Sequence, residues 1–415
     1  MRTKSTLKLG AAVMVASMFF YSCTQDNVSP VEEEAAFTEM DTRFNSQPIE
    51  GQYIVVYNKT VIEDVGAKYP KNYSKAQEAM ADLTRRVLAD ASISAEIVNV
   101  YSSTINGTTL KLNKNQVEQL KRRKEVAYIE QDRIVVFAPP CGSPNGAPCS
   151  EPDPGTGTGT QETPYGILRV NGVASYAGSN VAWVVDTGID LDHTDLNVNA
   201  SRGFNAFTSG RDGGSLDDGN GHGSHVAGTI AAKNNDFGVI GVAPGATVIP
   251  VKVLDSRGSG SYSGVVAGVD HVGANGSSGD VANLSLGGPV SQALDDAVLA
   301  ASQKGIKFAL AAGNDSANAN NSSPARVNGA NIVTISAIDK NDTFASFSNF
   351  GNPPVDYAAP GVAVKSTWMN GGYNTISGTS MAAPHAAGVL LLGSALTSGT
   401  AKSDPDGNPD AIITH

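Results

Sequence analysis

The chain has 415 residues, of which 40% are apolar, 17% are charged and 45 are glycine, and this composition excludes a disordered chain or a coiled coil. Residues 1–138 carry 17 basic and 17 acidic side chains, whereas residues 139–415 carry 12 and 23, so the whole net charge of −11 lies in the second part. Because phosphate binding needs clustered lysine and arginine, nucleic acid is excluded as a partner of this part, and its acidic surface suits a secreted protein that holds divalent cations.

The first 23 residues predict an export signal. A basic front precedes the apolar run of residues 9–21, which is too short to span a membrane, as is every other apolar run. Ser22 and Cys23 follow, and a small residue before cysteine resembles the processing box of bacterial lipoproteins. We expect a lipid on Cys23 that anchors the chain to a membrane. The alternative is an ordinary secretory signal in which Cys23 has no role.

Residues 24–47 are polar and are interpreted as a tether, and residues 48–138 as a small folded unit. In this unit β-branched and aromatic runs predict strands, and apolar residues at helical spacing predict helices. The predicted order is βαββαβ, which favours a ferredoxin-like fold. The strands are placed at residues 53–57, 97–101, 108–112 and 126–136, and the helices at residues 73–90 and 114–124.

Residues 139–162 are rich in proline, glycine, serine and threonine and predict a flexible linker. Cys141 and Cys149 lie eight residues apart in it. In an exported chain this spacing indicates a local disulfide, because a metal site would need further ligands nearby and the sequence has none there.

From residue 163 to residue 415, continuous apolar runs alternate with helical patterns. Such runs are typical of parallel strands that are buried on both faces. We therefore predict an α/β domain with a parallel central sheet and helices on both faces. The strands are placed at residues 181–185, 247–254, 281–286 and 306–312, and the helices at residues 222–233, 263–273 and 291–305.

Three segments of this domain carry residue types that suit nucleophilic catalysis. Asp186 ends a buried strand, His222 lies between glycines where a helix begins, and Ser380 lies at a tight turn before an apolar helix. Taken singly, Asp186 is explained as a strand-end cap, His222 as a core histidine and Ser380 as a helix cap. Taken together, the three provide a nucleophile, a base and a carboxylate that orients the base.

The segments VVDTGID (184–190), GHGSHVAGT (221–229) and SGTSMAAPH (377–385) resemble the signatures of the subtilisin-like serine proteases, in the branch of proteinase K and aqualysin. The resemblance covers residues 163–395. It implies that Asp186 orients the base, that His222 is the general base and that Ser380 is the nucleophile. Ser224 stands where the family usually has threonine, and because the hydroxyl is kept we expect no loss of activity.

The resemblance also implies the parts that bind substrate. The segment AAGN (311–314) makes Asn314 a donor to the oxyanion. Two further segments, GSGSY (258–262) and NLSLGG (283–288), imply edges that pair with an extended peptide, and hence broad specificity. The segment NSSPA (321–325) would help to wall the pocket for the residue before the cleaved bond. The implied substrate-binding residues are Gly258, Ser259, Gly260, Ser285, Leu286, Gly287, Gly288, Ala312 and Gly313.

A structural calcium site follows from the same resemblance. It combines one carboxylate with neutral oxygens, a donor set that suits calcium better than magnesium. The alternative is that Gln161 belongs to the linker and Asp195 to a turn. Asp356 is a candidate for a second calcium site. The implied ligands of the first site are the side chains of Gln161, Asp195 and Asn235 and the carbonyls of Lys233, Phe237 and Val239.

Residues 48–138 resemble the propeptide inhibitor of these proteases, including the ending VAYIEQD at 126–132. The resemblance implies a domain that assists folding and leaves its last strand in the active-site cleft, with self-cleavage between about residues 137 and 161. The alternative is a permanent accessory domain. We interpret His193, His225 and His271 as structural, since two histidines at zinc spacing lack a third ligand.

The sequence thus predicts an exported, calcium-stabilised serine endopeptidase made as a zymogen, acting as a monomer on peptide bonds of proteins. The alternative is a surface protein that uses the same scaffold only for binding. Such a protein would have no need of Asp186, His222, Ser380 and Asn314 together.

Overall fold

The computed structural model describes residues 46–136, 160–393 and 395–415. The predicted export signal with Cys23, the tether as far as residue 45 and the Cys141–Cys149 pair lie outside these residues. Among the residues described, no helix combines the length and the apolar character that crossing a bilayer requires.

The first folded unit is an antiparallel sheet covered by helices. Its elements are β1 (Pro48–Tyr57), α1 (Val65–Lys68), α2 (Tyr73–Asp90), β2 (Ile97–Tyr101), β3 (Gly107–Lys111), α3 (Lys114–Lys121) and β4 (Val126–Val136). The strand order is β2-β3-β1-β4, which confirms the predicted ferredoxin-like arrangement, with the short α1 as an addition. The predicted apolar stripe of α2 is buried against the sheet, and Asn72 caps this helix by accepting from the Lys75 amide.

The second unit contains the larger sheet. Its elements are α4 (Tyr165–Arg169), β5 (Ala182–Asp186), β6 (Asn197–Val198), β7 (Phe204–Asn205), α5 (His222–Ala231), β8 (Thr247–Lys252), β9 (Ser259–Ser261), α6 (Tyr262–Asn275), β10 (Val281–Leu284), β11 (Gly288–Pro289), α7 (Gln292–Ser302), β12 (Lys307–Ala311), β13 (Ser322–Ser323), β14 (Ile332–Ile338), β15 (Val355–Pro360), β16 (Val364–Thr367), β17 (Tyr373–Ile376), α8 (Thr379–Leu392), β18 (Leu396–Thr400) and β19 (Ala411–Thr414).

The larger sheet has the strand order β18-β19-β15-β14-β12-β10-β5-β8-β6, and β7 also pairs with β8. From β6 to β19 neighbouring strands are parallel, and β18 adds an antiparallel edge. One apolar core packs α5 and α8 against one face, and a second packs α6 and α7 against the other. This confirms the predicted parallel sheet with helices on both faces.

Several strands end earlier than the apolar runs that predicted them. Strand β10 covers the run 281–286 only to Leu284, and strand β12 covers the run 306–312 only to Ala311. Strand β8 covers the run 247–254 only to Lys252, and the amides of Val253 and Leu254 both donate to the Asp186 carbonyl at the end of β5. The residues that follow these strands, among them Leu254, Ser285 and Ala312, remain buried.

The histidines interpreted as structural each have a hydrogen-bond partner on the backbone. The Nε2 atoms of His193, His225 and His271 lie 2.9–3.0 Å from the carbonyls of Gly372, Val364 and Arg202 respectively. Burial lowers the pKa of His225 to about 3, against the opposing effect of its backbone hydrogen bond. It therefore stays neutral in the folded protein.

A buried neutral histidine makes the fold sensitive to acid. The folded pKa of His225 lies below the ordinary value, so the unfolded chain binds more protons, and stability is lost as the pH falls below about 6.5. We expect His225→Gln to reduce the acid-induced fall in the free energy of unfolding, by on the order of 2 kcal/mol at about pH 4.5. Denaturant unfolding at a series of pH values in a Ser380→Ala background measures this effect. The matched variant His415→Gln, at the chain terminus, should keep the wild-type dependence, and equal curves for both variants would contradict the prediction.

Candidate active site

The predicted catalytic residues meet at the carboxyl end of the larger sheet. Asp186 is the last residue of β5, and Asn314 follows the end of β12 by three residues. His222 and Ser380 lie in the first turns of α5 and α8, two helices that pack against each other. Residues separated by almost 200 positions in the chain are thereby brought to one cleft, because parallel strands place their ends at the same edge.

Asp186 and His222 form a buried hydrogen-bonded pair. The Nδ1 atom of His222 lies 2.8 Å and 3.0 Å from the two carboxylate oxygens of Asp186, which also accepts from the Thr187 amide. Burial lowers the pKa of His222, but the charge and the hydrogen bond of Asp186 outweigh it, and the net pKa is raised above the usual 6.5. The pair thus holds the proton on Nδ1 and leaves Nε2 as the basic atom.

Glycines on both sides of His222 are required by close contacts. Gly221 has a φ of +105°, and a Cβ there would lie 2.2 Å from Cε2 of Trp368. A Cβ on Gly223 would lie 2.0 Å from the Gly188 carbonyl oxygen. A larger residue at position 223 would therefore push the start of α5 away from the strand that carries Asp186, and one at position 221 would collide with Trp368.

Ser380 does not complete the predicted hydrogen-bonded chain in this conformation. Its hydroxyl donates to the Ser285 carbonyl over 3.2 Å, and the Ser285 hydroxyl donates back to the Ser380 carbonyl over 2.7 Å. Within the described part of the chain, His222 Nε2 is buried without a hydrogen-bond partner. A change of the Ser380 χ1 rotamer is the movement that frees its hydroxyl from Ser285.

Two N–H donors converge beside Ser380. The Oδ1 atom of Asn314 accepts from the amide and the hydroxyl of Thr379, which leaves the Nδ2 atom free to face the cleft. A Cβ on Gly378 would lie 3.5 Å from this Nδ2 and 3.6 Å from the Ser380 amide nitrogen. Gly378 thus keeps clear the point at which both donors can bind a developing oxyanion.

The predicted substrate-binding residues lie on or beside β9 and β11, or in the segments that follow β10 and β12. Ser259 and Gly260 belong to β9, which follows Gly258, and Ser285 and Leu286 are buried beyond the end of β10. Gly288 begins β11, which pairs with β13 in the segment predicted to wall the pocket. Ala312 donates its amide to the Ile335 carbonyl, and Gly313 donates its amide to the Thr379 hydroxyl.

The first unit already occupies one of these edges. Strand β4 pairs antiparallel with β9, with Ile134 opposite Ser261 and Val135 opposite Gly260. The five-stranded sheet β2-β3-β1-β4-β9 therefore joins the two units. Val135 is buried, and a Cβ on Gly288 would lie 3.4 Å from its side chain. An extended chain thus lies along the edge predicted for substrate.

Acidic residues of the first unit accept from the N-termini of two helices in the second. Glu130 Oε2 accepts from the Ala293 amide at the start of α7, and Asp132 Oδ1 accepts from the Ser263 amide at the start of α6. Helix N-termini carry unpaired N–H groups and partial positive charge, so both contacts are favourable.

A buried carboxylate of the second unit fixes a loop of the first. Asp270, on α6, accepts from the amides of Ser102, Ser103 and Thr104 over 2.7–3.0 Å, and also from the Thr104 hydroxyl. Lys304 donates to the Ser103 carbonyl at 2.7 Å. The loop is therefore held at its N–H groups by an anion and at a carbonyl by a cation.

The predicted calcium ligands also come together. The Nε2 atom of Gln161 lies 2.7 Å from the Lys233 carbonyl, 3.2 Å from the carbonyls of Phe237 and Val239, and 3.4 Å from Asn235 Oδ1. One amide nitrogen, with two hydrogens, cannot satisfy four oxygens. This excess of acceptors fits a cation with oxygen ligands.

Asp195 lies beside this group of oxygens and is fully buried. Its carboxylate accepts from the Asn235 side chain over 3.0 Å and from the Val239 amide over 3.1 Å. Asp356, the candidate for a second site, accepts from the Thr334 amide over 2.9 Å and thereby joins β14 to β15. The described contacts of Asp356 provide no comparable set of oxygens.

Sequence reasoning missed two buried charged side chains near the Asp186–His222 pair, Asp218 and Lys252. Asp218 accepts from groups on both sides of His222, and Lys252 donates to the Thr187 carbonyl. A carboxylate four residues before a glycine-flanked histidine was the available signal for Asp218. Lys252 ends an apolar run, and the interruption of that run by a charge was its signal.

Comparisons with known proteins agree with this arrangement. The model of the Subtilase family matches residues 178–402, and the model of the Peptidase inhibitor I9 family matches residues 52–138. An extracellular serine proteinase of Thermus sp. (strain Rt41A) is 35% identical over 92% of this chain and 89% of its own length. Alkaline serine exoprotease A of Vibrio alginolyticus is 42% identical over 72% of this chain, but the match spans only 53% of that longer protein.

A comparison with a solved structure indicates the same class of protein. The crystal structure of a cold adapted subtilisin-like serine proteinase superposes with a TM-score of 0.52 at 38% identity, over 60% of this chain and 97% of that one. The fold and the cleft are those of a serine protease. The chain belongs to the subtilase family and carries an I9 inhibitor unit ahead of its protease domain.

The position of Asn314 generates a test. We expect Asn314→Ala to lower kcat by about 10²–10³ with little change in KM, because its Nδ2 donor would act only on the oxyanion. Steady-state kinetics on a peptide amide substrate measure both constants. Asn314→Asp is the matched second variant: it keeps the oxygen that binds Thr379 but has a negative oxygen in place of the Nδ2 donor, so kcat should fall here too. A kcat near that of wild type for Asn314→Asp would show that Asn314 has only a structural role.

Proposed function

We propose that this chain is an exported, autoprocessing serine endopeptidase in which Ser380 is the nucleophile, His222 the general base and Asp186 the carboxylate that orients it. The observation that carries the proposal is the 2.8 Å contact between Asp186 and His222 Nδ1 in the cleft that holds Ser380. This contact leaves Nε2 buried and basic, as proton removal from a serine hydroxyl requires.

The reaction begins when the Ser380 hydroxyl leaves the Ser285 carbonyl and turns to His222. His222 Nε2 takes the hydroxyl proton as Oγ attacks the peptide carbonyl, and Asn314 and the Ser380 amide donate to the oxyanion. His222 then gives the proton to the leaving amine, and the C–N bond breaks. Water hydrolyses the resulting ester with His222 again as base, which restores the free serine.

The substrates we propose are extended protein segments with varied side chains. Pairing with β9 uses the main chain of the substrate, as the pairing of β4 with β9 illustrates. Main-chain pairing depends little on side chains and so supports broad specificity.

Residues 48–138 are proposed to be the intramolecular inhibitor and folding aid of the protease. Strand β4 covers the β9 edge, and the Asp270 contacts hold the unit in place. Maturation would then cut the linker between about residues 137 and 161. The fused sheet supports this proposal, since the edge cannot pair with β4 and a substrate at once.

Export is proposed from the signal at the N-terminus and is supported by the extracellular relative. Acylation of Cys23 and a Cys141–Cys149 disulfide remain predictions from the sequence, as does a monomeric state.

We also propose structural calcium between residue 161 and the loop 233–239. The side chains of Gln161, Asp195 and Asn235 and the carbonyls of Lys233, Phe237 and Val239 would hold it. The four oxygens around the Gln161 amide support this donor set. Calcium there would join the start of the protease domain to the loop that follows α5.

The central test of catalysis is self-processing. We expect wild-type protein to cleave its linker and to react with a serine-directed phosphonyl fluoride, whereas Ser380→Ala should remain full length and unlabelled. Gel mobility and mass spectrometry follow both results. The control Ser377→Ala changes an exposed serine of the same turn, whose hydroxyl accepts from the Ala363 amide, and it should process normally. Processing of Ser380→Ala at the wild-type rate would refute the catalytic assignment.

The calcium proposal is tested by thermal unfolding. Because a bound metal stabilises the folded state by about 4 kcal/mol at a thousandfold excess over Kd, a chelator should lower Tm by several degrees. Asp195→Ala should largely remove this response. Asp236→Asn, at an exposed position of the same loop, should retain it. An unchanged Tm in wild type, or an equal response in Asp195→Ala, would contradict the site.

A further inference from the structure

Asp218 lies four residues before His222 and is 5% exposed. Its Oδ1 atom accepts from the Thr187 hydroxyl and from the amides of Asn220 and Gly221, each over 2.9 Å. Its Oδ2 atom accepts from the amide and the hydroxyl of Ser224 over 2.9 Å and 2.7 Å. Five donors therefore hold one buried carboxylate and fix it in place.

These donors lie in the two segments that carry Asp186 and His222. Thr187 follows Asp186 directly, whereas Gly221 and Ser224 lie on either side of His222. The Thr187 hydroxyl also accepts from the Gly223 amide over 2.9 Å, which closes the connection between strand end and helix start. Asp218 thus joins the end of β5 to the first turn of α5, independently of the contact between Asp186 and His222.

The charge of Asp218 also acts on His222. It adds to the effect of Asp186 in raising the pKa of the imidazole, against burial. On α5, His225 is neutral because burial lowers its pKa to about 3, and on α8 His385 is neutral because burial lowers its pKa to about 4. At the end of β8, Lys252 donates to the Thr187 carbonyl and pairs with Asp212 at 3.2 Å.

We propose that Asp218 is a positioning residue for the hydrolysis: it fixes the base against the strand that carries Asp186, and its negative charge favours the imidazolium that forms in the transition state. The proposal rests on the proposed function of His222 and Ser380. It also explains why serine can replace threonine at position 224, because both residues supply the hydroxyl that Asp218 accepts from.

The test is Asp218→Asn, which keeps the size of the side chain and removes its charge. We expect kcat to fall about tenfold or more with KM nearly unchanged, and the acid limb of kcat/KM to move to lower pH by roughly one unit. Concentrations are set by titration with the phosphonyl fluoride. The matched control is Asp280→Asn, a buried carboxylate that accepts from the Val181 amide and the Trp183 indole. It should lose stability and keep the wild-type pH profile.

An acid limb that stays in place, or a change equal to that of Asp280→Asn, would overturn the role of Asp218. If Asp218→Asn yields no folded precursor, Ser224→Ala replaces it: kcat should fall, and Ser224→Thr should restore it. Equal activity of Ser224→Ala and wild type would likewise overturn the proposal. Labelling of wild type but not of Ser380→Ala shows that the protease function itself stands, so the two failures are distinguishable.

Discussion

The structure depends on the burial of a negative charge at the end of β5. A carboxylate in the interior is costly unless it is paired, and Asp186 is paired by His222 and by the Thr187 amide. This pairing requires α5 to begin beside the strand end, where Gly223 leaves room for the Gly188 carbonyl. The contacts that satisfy this buried carboxylate therefore also fix the orientation of the His222 imidazole.

Hydrogen bonds from backbone amides to carboxylates also occur where the two folded units meet. Asp132, Glu130 and Asp270 each accept from backbone amides of the opposite unit. Such contacts cost little side-chain entropy on the amide side and fix orientation as well as position. They hold β4 beside β9, so the main chain of the I9 unit pairs with the edge that we propose for substrate. The contacts that fix the two units together would thus also serve inhibition.

Much of the fold follows from the sequence because its signals are local. The period of apolar residues placed α2, and continuous apolar runs placed β5 and β12 to within a residue or two. Spacing and resemblance predicted the contact between Asp186 and His222 and assigned Ser380 to the same site. They did not reveal the Ser380 rotamer, because the choice between Ser285 and His222 as its partner depends on ångström-scale distances across the fold. Nor did they reveal Asp218, because its contact with the Thr187 hydroxyl links segments that lie 31 residues apart in the chain.

Recognition of the 102–104 loop has an evolutionary consequence. Asp270 and Lys304 engage mainly its peptide groups, which every residue except proline supplies in full. The hydroxyls of Ser103 and Thr104 add contacts to the same two residues, but most of the recognition depends on the shape of the bend. Inhibitor units of dissimilar sequence should then be interchangeable between such proteases wherever that bend and the two carboxylates on β4 are preserved.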